Sequence, residues 1–409
     1  MSSVNLCFRV HLPYRLANAA ESSRAFHYFD DEATAAAANR LADDCYLPAN
    51  AILGKLIKEH KGKFSVSFSI SGTTLEILQR HRPNALASFR ALAATGSVDF
   101  LAETYYNSLS WLYSKKEFCS QVKKHSATIH HLFGIQPTVL RNTELIYNNQ
   151  LAVFAADMGY KAVLCEGLEK ILQGQSLNQA YQWPEAPGLA LLLRNGSLSD
   201  DIAFRFDEPG WVEQPVTADK YAGWLHQHSE PCSINVLMDY ETFGVHKKKS
   251  SGIFEFLQHL PAAILSNEQW EFNTAAKTAA TSCPAAVYDV PTTISWRDKE
   301  IENCVWCDNM MQNNMLKKIY SLETMLATNG NEESYTCWQR LQSADHFYHM
   351  SATARTANDA YQQLNPFATA EAAYKCYLNI ITDFEIQLIE RGLQKYKTGR
   401  RLSNKPTLY

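Results

Sequence analysis

Three acidic residues stand directly after short apolar runs: Glu103 after Ser97–Ala102, Glu166 after Lys161–Cys165 and Asp239 after Ser233–Met238. A carboxylate in such a place is expensive to bury unless it is hydrogen-bonded or does chemistry. Each acid could simply cap the helix that follows, because Asp and Glu suit helix N-termini. Catalysis is the other reading. Two carboxylates facing each other across a sugar are what glycosidic bond cleavage needs: one attacks or stabilises the oxocarbenium-like centre, and the other, protonated, gives its proton to the departing oxygen. Tyr105, Tyr106, Trp111, Tyr240 and Phe243 lie close by in sequence and would offer faces for sugar rings.

The elements that must position these acids alternate along the chain. Asn5–Val10 reads as a first strand. Lys63–Ile70 alternates strictly, with Phe64, Val66, Phe68 and Ile70 separated by serines, and reads as a second. Ser97–Ala102, Pro137–Arg141, Lys161–Cys165, Leu189–Arg194 and Ser233–Met238 make five more. The stretches between them have helical length and period, as in Asp31–His60 and Thr74–Ala94. Strands joined by such helices imply βαβ crossovers and a parallel sheet, and seven in series suggest a barrel rather than an open doubly wound sheet. In a barrel of parallel strands the C-terminal ends converge on one mouth, which places the three acids on one rim. No Gly-x-Gly-x-x-Gly turn follows the first strand, which disfavours dinucleotide binding.

Beyond about residue 290 the pattern changes. Met315, Ile319, Leu322 and Leu326 in Met311–Ala327, and Tyr377, Ile381, Phe384 and Leu388 in Glu371–Gly392, recur at the spacing of amphipathic helices. A third helix is expected at Ala354–Leu364. The expected organisation is a catalytic barrel over residues 1–290 and an α-helical domain over 291–409.

Composition narrows the function. With 38 Lys+Arg against 42 Asp+Glu the net charge is −4, without the basic excess of a nucleic-acid binder. No apolar run approaches the ~18 residues that would span a membrane. The start, Met1-Ser2-Ser3-Val4-Asn5, lacks the features of a secretory signal. Ten scattered cysteines suit reduced thiols better than a disulfide framework, so a cytoplasmic protein is expected.

Two metal-like signals carry less weight. Cys304-Val305-Trp306-Cys307 matches a redox pair, but no βαβ turn precedes it, and buried thiols fit better. His125, His130 and His131 resemble a metal-dependent deacetylase motif at first sight, yet that chemistry wants two histidines four apart on one helical face, and these stand five and six apart. Lys247-Lys248-Lys249 reads as a solvated loop, and Asn195-Gly196-Ser197 is a sequon only in a secreted chain.

The segment Phe100-Leu101-Ala102-Glu103-Thr104-Tyr105-Tyr106-Asn107-Ser108-Leu109 resembles the nucleophile region of glycoside hydrolase family 57, in its α-amylase branch. Leu237-Met238-Asp239-Tyr240-Glu241-Thr242-Phe243-Gly244 is similar to that family's acid/base region. Arg141-Asn142-Thr143-Glu144-Leu145, Leu198–Phe206 and Gly252–Phe256 are also similar to that branch. Gln342–Met350 resembles the last family region, in the helical domain. The resemblance runs over nearly the whole chain in the family's order.

The resemblance implies an incomplete seven-stranded parallel (β/α) barrel followed by a helical C-terminal domain that contributes to the active site. It implies Glu103 as nucleophile and Asp239 as general acid/base of a retaining α-1,4-glucan hydrolase, with no cofactor and no metal. Glu241, Asp345, Tyr348 and His349 would bind the substrate, as would His11, although the family's His-Gln-Pro is here His11-Leu12-Pro13. Glu76 would be structural. The substrate implied is a starch- or glycogen-like α-glucan or malto-oligosaccharide. Three alternatives stay open: a 4-α-glucanotransferase with the same site, a non-catalytic glucan-binding homologue, and a metal-dependent polysaccharide deacetylase.

Overall fold

Each of the seven runs becomes a strand in the computed structural model, which describes residues 1–17, 26–228, 230–284, 286–296, 306–351 and 365–403. They are β1 (Ser2–Val10), β2 (Val66–Ile70), β3 (Val98–Phe100), β4 (Val139–Arg141), β5 (Ala162–Glu166), β6 (Ala190–Arg194) and β7 (Ser233–Asp239). Every neighbour in the series pairs in parallel. β1 pairs with β2, β2 with β3, β4 with β5, β5 with β6 and β6 with β7. A bridge between Ala102 and Leu140 joins β3 to β4, and β7 returns to β1 over seven residue pairs. The ring therefore closes in sequence order as a (β/α) barrel of seven strands, as expected. Strand β2 is three residues shorter than its alternating pattern, because Lys63 still turns back on His60 and pairing starts only at Val66.

Strand pleat sends alternate residues to opposite faces. Cys7, Leu101, Val139, Leu164, Leu192 and Leu237 pack into one cluster inside the ring. The opposite face packs against the helices: Phe68 meets Phe89 of the helix Pro83–Ala93, and Phe8, Phe68 and Phe89 all meet Tyr240, with ring centroids 5.1–6.1 Å apart. The expected helix Thr74–Ala94 is two helices, Gly72–His81 and Pro83–Ala93, because Pro83 cannot continue the first one. The expected helix Asp31–His60 is continuous in direction but widens into a π-helical turn at Ala42–Tyr46.

The chain divides into two compact units. The first comprises Met1–Leu12, Ala35–Asn107 and Phe118–Cys304 and contains the barrel; the second comprises Pro13–Thr34, Ser108–Glu117 and Val305–Tyr409. The second unit is largely helical. Its Met315, Ile319, Leu322 and Leu326 are buried as their spacing required, on two helices, Met310–Ser321 and Glu323–Asn329, that meet at Leu322. Tyr377, Ile381, Phe384 and Leu388 are wholly buried along the helix Ala370–Ser403. The helix expected at 354–364 lies outside the described residues. Nine cysteines are described and none is bridged; among the described residues no helix is long and apolar enough to cross a membrane.

Phe68 has no exposed surface and touches four other rings. Phe68→Ala is expected to lower unfolding stability by about 3–5 kcal/mol through lost burial and an unfilled cavity, measurable by urea denaturation.

Candidate active site

Two residues beyond the apolar layer, toward the C-terminal ends of the strands, the inward positions turn polar. They read Arg9 on β1, Ser69 on β2, Glu103 just past β3, Arg141 on β4, Glu166 on β5, Arg194 on β6 and Asp239 on β7. Apart from the serine, cations and anions alternate around the rim. The pairs are real contacts: Arg141 Nη1 lies 2.7 Å from Glu103 Oε2, Arg194 Nη1 3.3 Å from Glu166 Oε2, and Arg9 Nη1 2.8 Å from Asp239 Oδ1. Arg194 also pairs with Asp200 and donates from Nε to the Leu237 carbonyl.

Glu103 is fully buried. Its Oε2 accepts from Arg141, and its Oε1 accepts from the Ser69 hydroxyl at 3.2 Å. Its backbone N–H donates to His125 Nδ1 at 3.3 Å, while His125 Nε2 lies 2.8 Å from the Ile70 carbonyl. A carbonyl accepts only, so His125 carries its proton on Nε2 and is neutral; burial holds it below the ordinary histidine value. His125 is thus a support for the Glu103 backbone. His130 and His131 are exposed, and among the described residues no group of three His, Cys, Asp or Glu side chains could hold a metal ion.

Asp239 sits in register with Arg9, which is in register with Ser69 on the other side. With strands about 4.8 Å apart, Asp239 and Ser69 are roughly 10 Å apart along the backbone. Glu103 reaches Ser69 from the far side, so both acids belong to one row at one end of the barrel. Asp239 keeps 20% of its side chain exposed, whereas Glu103 keeps 1%.

Glu241 follows on the turn Tyr240–Thr242 and is buried. Its Oε1 accepts from the Tyr46 hydroxyl at 2.5 Å. Burial, and then the charge of Asp239, push its carboxyl up to about 7. Tyr46 closes the π-helical turn Ala42–Tyr46, and Cys45 Sγ of the same turn meets the Tyr240 carbonyl at 3.1 Å. Gly244 ends the loop at φ +102°, and a Cβ there would come 2.0 Å from the Asp44 carbonyl oxygen. Only glycine lets the acid-bearing loop lie this close to the π turn.

His11 Nδ1 lies 2.7 Å from the Ser71 hydroxyl, which caps the helix Gly72–His81, and the Leu12 N–H donates to Thr74 Oγ1 at 2.7 Å. Leu12 is buried and fills apolar space. Glu76 accepts from the Tyr105 hydroxyl at 3.0 Å. Asp345, Tyr348 and His349 are all buried in the second unit, where Ser343 donates to Asp345 Oδ2 at 2.7 Å and Trp306 lies 6.0 Å from Tyr348.

Two sequence expectations need correction. Tyr105, Tyr106, Trp111, Tyr240 and Phe243 do not offer open faces for sugars: all are buried and pack within the protein. Lys247 is no solvated loop residue, because it is buried and holds the Phe204 carbonyl at 2.8 Å and the Asp207 carboxylate. Cys307 is half-buried, and the other cysteine of that motif, Cys304, lies outside the described residues.

Sequence reasoning missed Arg9, Ser69, Arg141 and Glu144. Glu144 lies on the turn after β4, buried, with φ 55° and ψ 26°, and Leu145 follows at φ 51°. Two successive non-glycine residues in the left-handed region are strained and mark a place where the surroundings dictate the backbone. Glu144 Oε1 accepts from Arg9 Nη2 at 3.3 Å, and its Oε2 accepts from Trp296 Nε1 at 2.7 Å. The signal that could have found the cations was their place in the strands, at or near the C-terminal end with the parity of the acids.

A family profile described as "Glycosyl hydrolase family 57" matches residues 5–291. A protein of Methanocaldococcus jannaschii named "Putative alpha-amylase" is 38% identical over 398 residues, covering 94% of this chain and 84% of its own. Among solved structures, the 4-alpha-glucanotransferase of Thermococcus litoralis superposes with a TM-score of 0.68 at 17% identity over 85% of this chain; the match spans 56% of that longer protein. A branching enzyme of the same family from Thermococcus kodakaraensis gives a TM-score of 0.68 at 12% identity, covering 94% of this chain and 89% of its own. These solved structures share the barrel fold.

Two predictions follow from the rim. Arg141→Met leaves the buried Glu103 carboxylate without its cation and is expected to lower stability by about 3–5 kcal/mol, read by urea denaturation. Glu241 has a folded-state value raised from 4.5 to about 7, so its proton favours the folded state. That stability is complete below about pH 4.5 and is lost as pH rises toward 7. Glu166, raised to about 7 by burial, and Asp99, raised to about 6, act in the same direction. The urea midpoint is expected to fall between pH 4.5 and 7, and to fall less in Glu241→Gln.

Proposed function

The chain belongs to glycosyl hydrolase family 57, and on that premise we propose that it is a retaining α-glucan hydrolase of the α-amylase type, with Glu103 as nucleophile and Asp239 as general acid/base. The observation that carries this reading is the row Asp239–Arg9–Ser69–Glu103 at the mouth of the barrel, which supports two carboxylates from opposite directions.

In the first step a Glu103 oxygen attacks the anomeric carbon while Asp239 passes its proton to the departing glycosidic oxygen, giving a glycosyl ester and a shortened glucan. In the second, Asp239 takes a proton from water, the water oxygen attacks the anomeric carbon from the opposite face, and Glu103 leaves as a carboxylate. Two inversions leave the configuration unchanged. Arg141 supplies the countercharge for Glu103 in its free state and binds the carbonyl side of the ester. Asp239, partly exposed, can meet both the leaving oxygen and water. Glu241, pushed up to about 7 beside it, keeps a second negative charge away from Asp239 below neutral pH. The resemblance assigns substrate-binding roles to His11 and Glu241 and, in the second unit, to Asp345, Tyr348 and His349.

If a sugar hydroxyl replaces water in the second step, the same ester yields a longer glucan. Incubation with maltoheptaose separates the two, since hydrolysis gives only shorter products and transfer also gives longer ones. A cytoplasmic setting agrees with the nine unbridged cysteines.

Asp239→Asn is expected to reduce kcat on soluble starch by about 10²–10⁴-fold, the usual contribution of a positioned acid/base. Turnover close to that of the unaltered protein would reject the assignment. Glu103→Gln is expected to abolish product formation while leaving the thermal unfolding cooperative.

A further inference from the structure

We infer that Arg9 is a positioning residue that sets the proton affinity of Asp239, and that Glu144, anchored by Trp296, fixes how much of the Arg9 charge Asp239 feels. The inference rests on the reading of Asp239 as acid/base and deepens it.

The geometry is a single chain of contacts. The Trp296 indole N–H donates to Glu144 Oε2, Glu144 Oε1 accepts from Arg9 Nη2, and Arg9 Nη1 donates to Asp239 Oδ1. Trp296 also turns its backbone N–H to the Glu144 carbonyl at 3.3 Å, so the residue holds Glu144 at two points, one by its indole and one by its backbone. Glu144 and Arg9 are buried to 1% and 11% side-chain exposure, where charges interact strongly. The left-handed backbone at Glu144 and Leu145 is maintained against its own strain, and its result is to aim the carboxylate at the guanidinium.

A two-step reaction makes opposite demands on Asp239. It must start neutral, then become an anion able to take a proton from water. Next to a lone guanidinium it would ionise too readily to begin as an acid; with no cation it would be too basic to release its proton. An arginine shared with a second carboxylate lies between these limits. While Asp239 is protonated, Glu144 balances Arg9. Once Asp239 gives up its proton, the guanidinium, already in hydrogen-bonding position, serves both carboxylates. The planar fork of arginine allows this, because its two terminal nitrogens hold two carboxylates without rearrangement.

The other groups facing Asp239 and Glu144 are fixed. Asp239 faces Glu241 on its own loop and, behind it, Tyr46 of the π turn, whose ionisation burial prevents. Glu144 faces Arg9 and Trp296, over whose ring the Arg194 guanidinium lies at 5.7 Å. Glu103 is held by Arg141 on the neighbouring strand ends. Glu241, raised to about 7 by burial, adds a negative charge beside Asp239 only above that pH, and it remains in place in every variant below.

The test is the pH profile of kcat/KM on maltoheptaose, whose alkaline limb reports loss of the proton from the general acid. Glu144→Gln exposes Asp239 to the whole Arg9 charge, so the alkaline limb is expected to move down by about one pH unit. Arg9→Gln removes the cation, so the limb is expected to move up by about as much, and Arg9→Lys is expected to return it most of the way. If Glu144→Gln fails to fold, Glu144→Asp, which draws the charge back by one methylene, is expected to shift the limb down by less. A lower kcat with an unmoved alkaline limb in folded Arg9 and Glu144 variants would make the chain a structural support only and overturn the inference. Asp239→Asn assayed alongside separates the two levels. If it still cleaves maltoheptaose normally, the acid/base reading itself fails. If it is inactive while the limb of the other variants stays in place, only the present inference fails.

Discussion

The structure depends on one electrostatic constraint: carboxylates placed at the end of a closed barrel lose their water and must find cations. Seven strands supply seven inward positions at the rim. The chain fills them with arginine, serine, glutamate, arginine, glutamate, arginine and aspartate, in ring order. Because each strand pairs with the next in sequence, each charge has its opposite on an adjacent strand. Removing any one member would strand another in a poorly solvated place, where an unmatched charge costs several kcal/mol. The rim is therefore a cooperative unit, and its tolerance for change is low.

The surroundings of the rim serve the same constraint. A π-helical turn brings Tyr46 to Glu241, and glycine at position 244 lets that turn and the Asp239 loop approach. A strained turn aims Glu144 at Arg9. A neutral histidine holds the Glu103 backbone from beneath. The π turn, the glycine turn and the Glu144 turn depart from regular secondary structure, whereas the histidine sits on the regular helix Lys115–Phe133; each lies within one or two contacts of a carboxylate. Below the rim, the apolar layer is ordinary and the strands are regular. A strained turn, a π turn and a close approach at a glycine stand together at the end of the barrel where charge must be controlled.

Much of this was legible in the sequence. The seven barrel strands follow from alternation and apolar runs, and the three rim acids from their place just after them. The stripes on the helices of the second unit follow from the 3.6-residue period. The cations were hidden because Arg9, Arg141 and Arg194 fall inside segments that read simply as strands, and a strand pattern does not say which residue shares a row with which. Pairing register supplies that, and register is a property of the folded ring. Tyr46 was hidden because helical periodicity assumes a regular turn, and the π turn breaks it at Ala42–Tyr46. The aromatic residues beside the acids were misread for a related reason: types that suit a sugar face suit a core equally well, and only burial separates the two. Composition likewise gave no hint that Lys247 would turn inward to hold the Phe204 segment.

The central claim is that Glu103, held by Arg141 and Ser69, forms a covalent bond to the sugar that Asp239 releases. It is tested most directly by incubating the protein with a fluorinated glucosyl fluoride whose ester forms faster than it hydrolyses, followed by intact-mass measurement and peptide mapping. The account predicts a mass gain of one fluoroglucosyl unit, located on the peptide that carries Glu103, and none in Glu103→Gln. An adduct on another residue, or cleavage of glucan that yields products of inverted anomeric configuration, would contradict it.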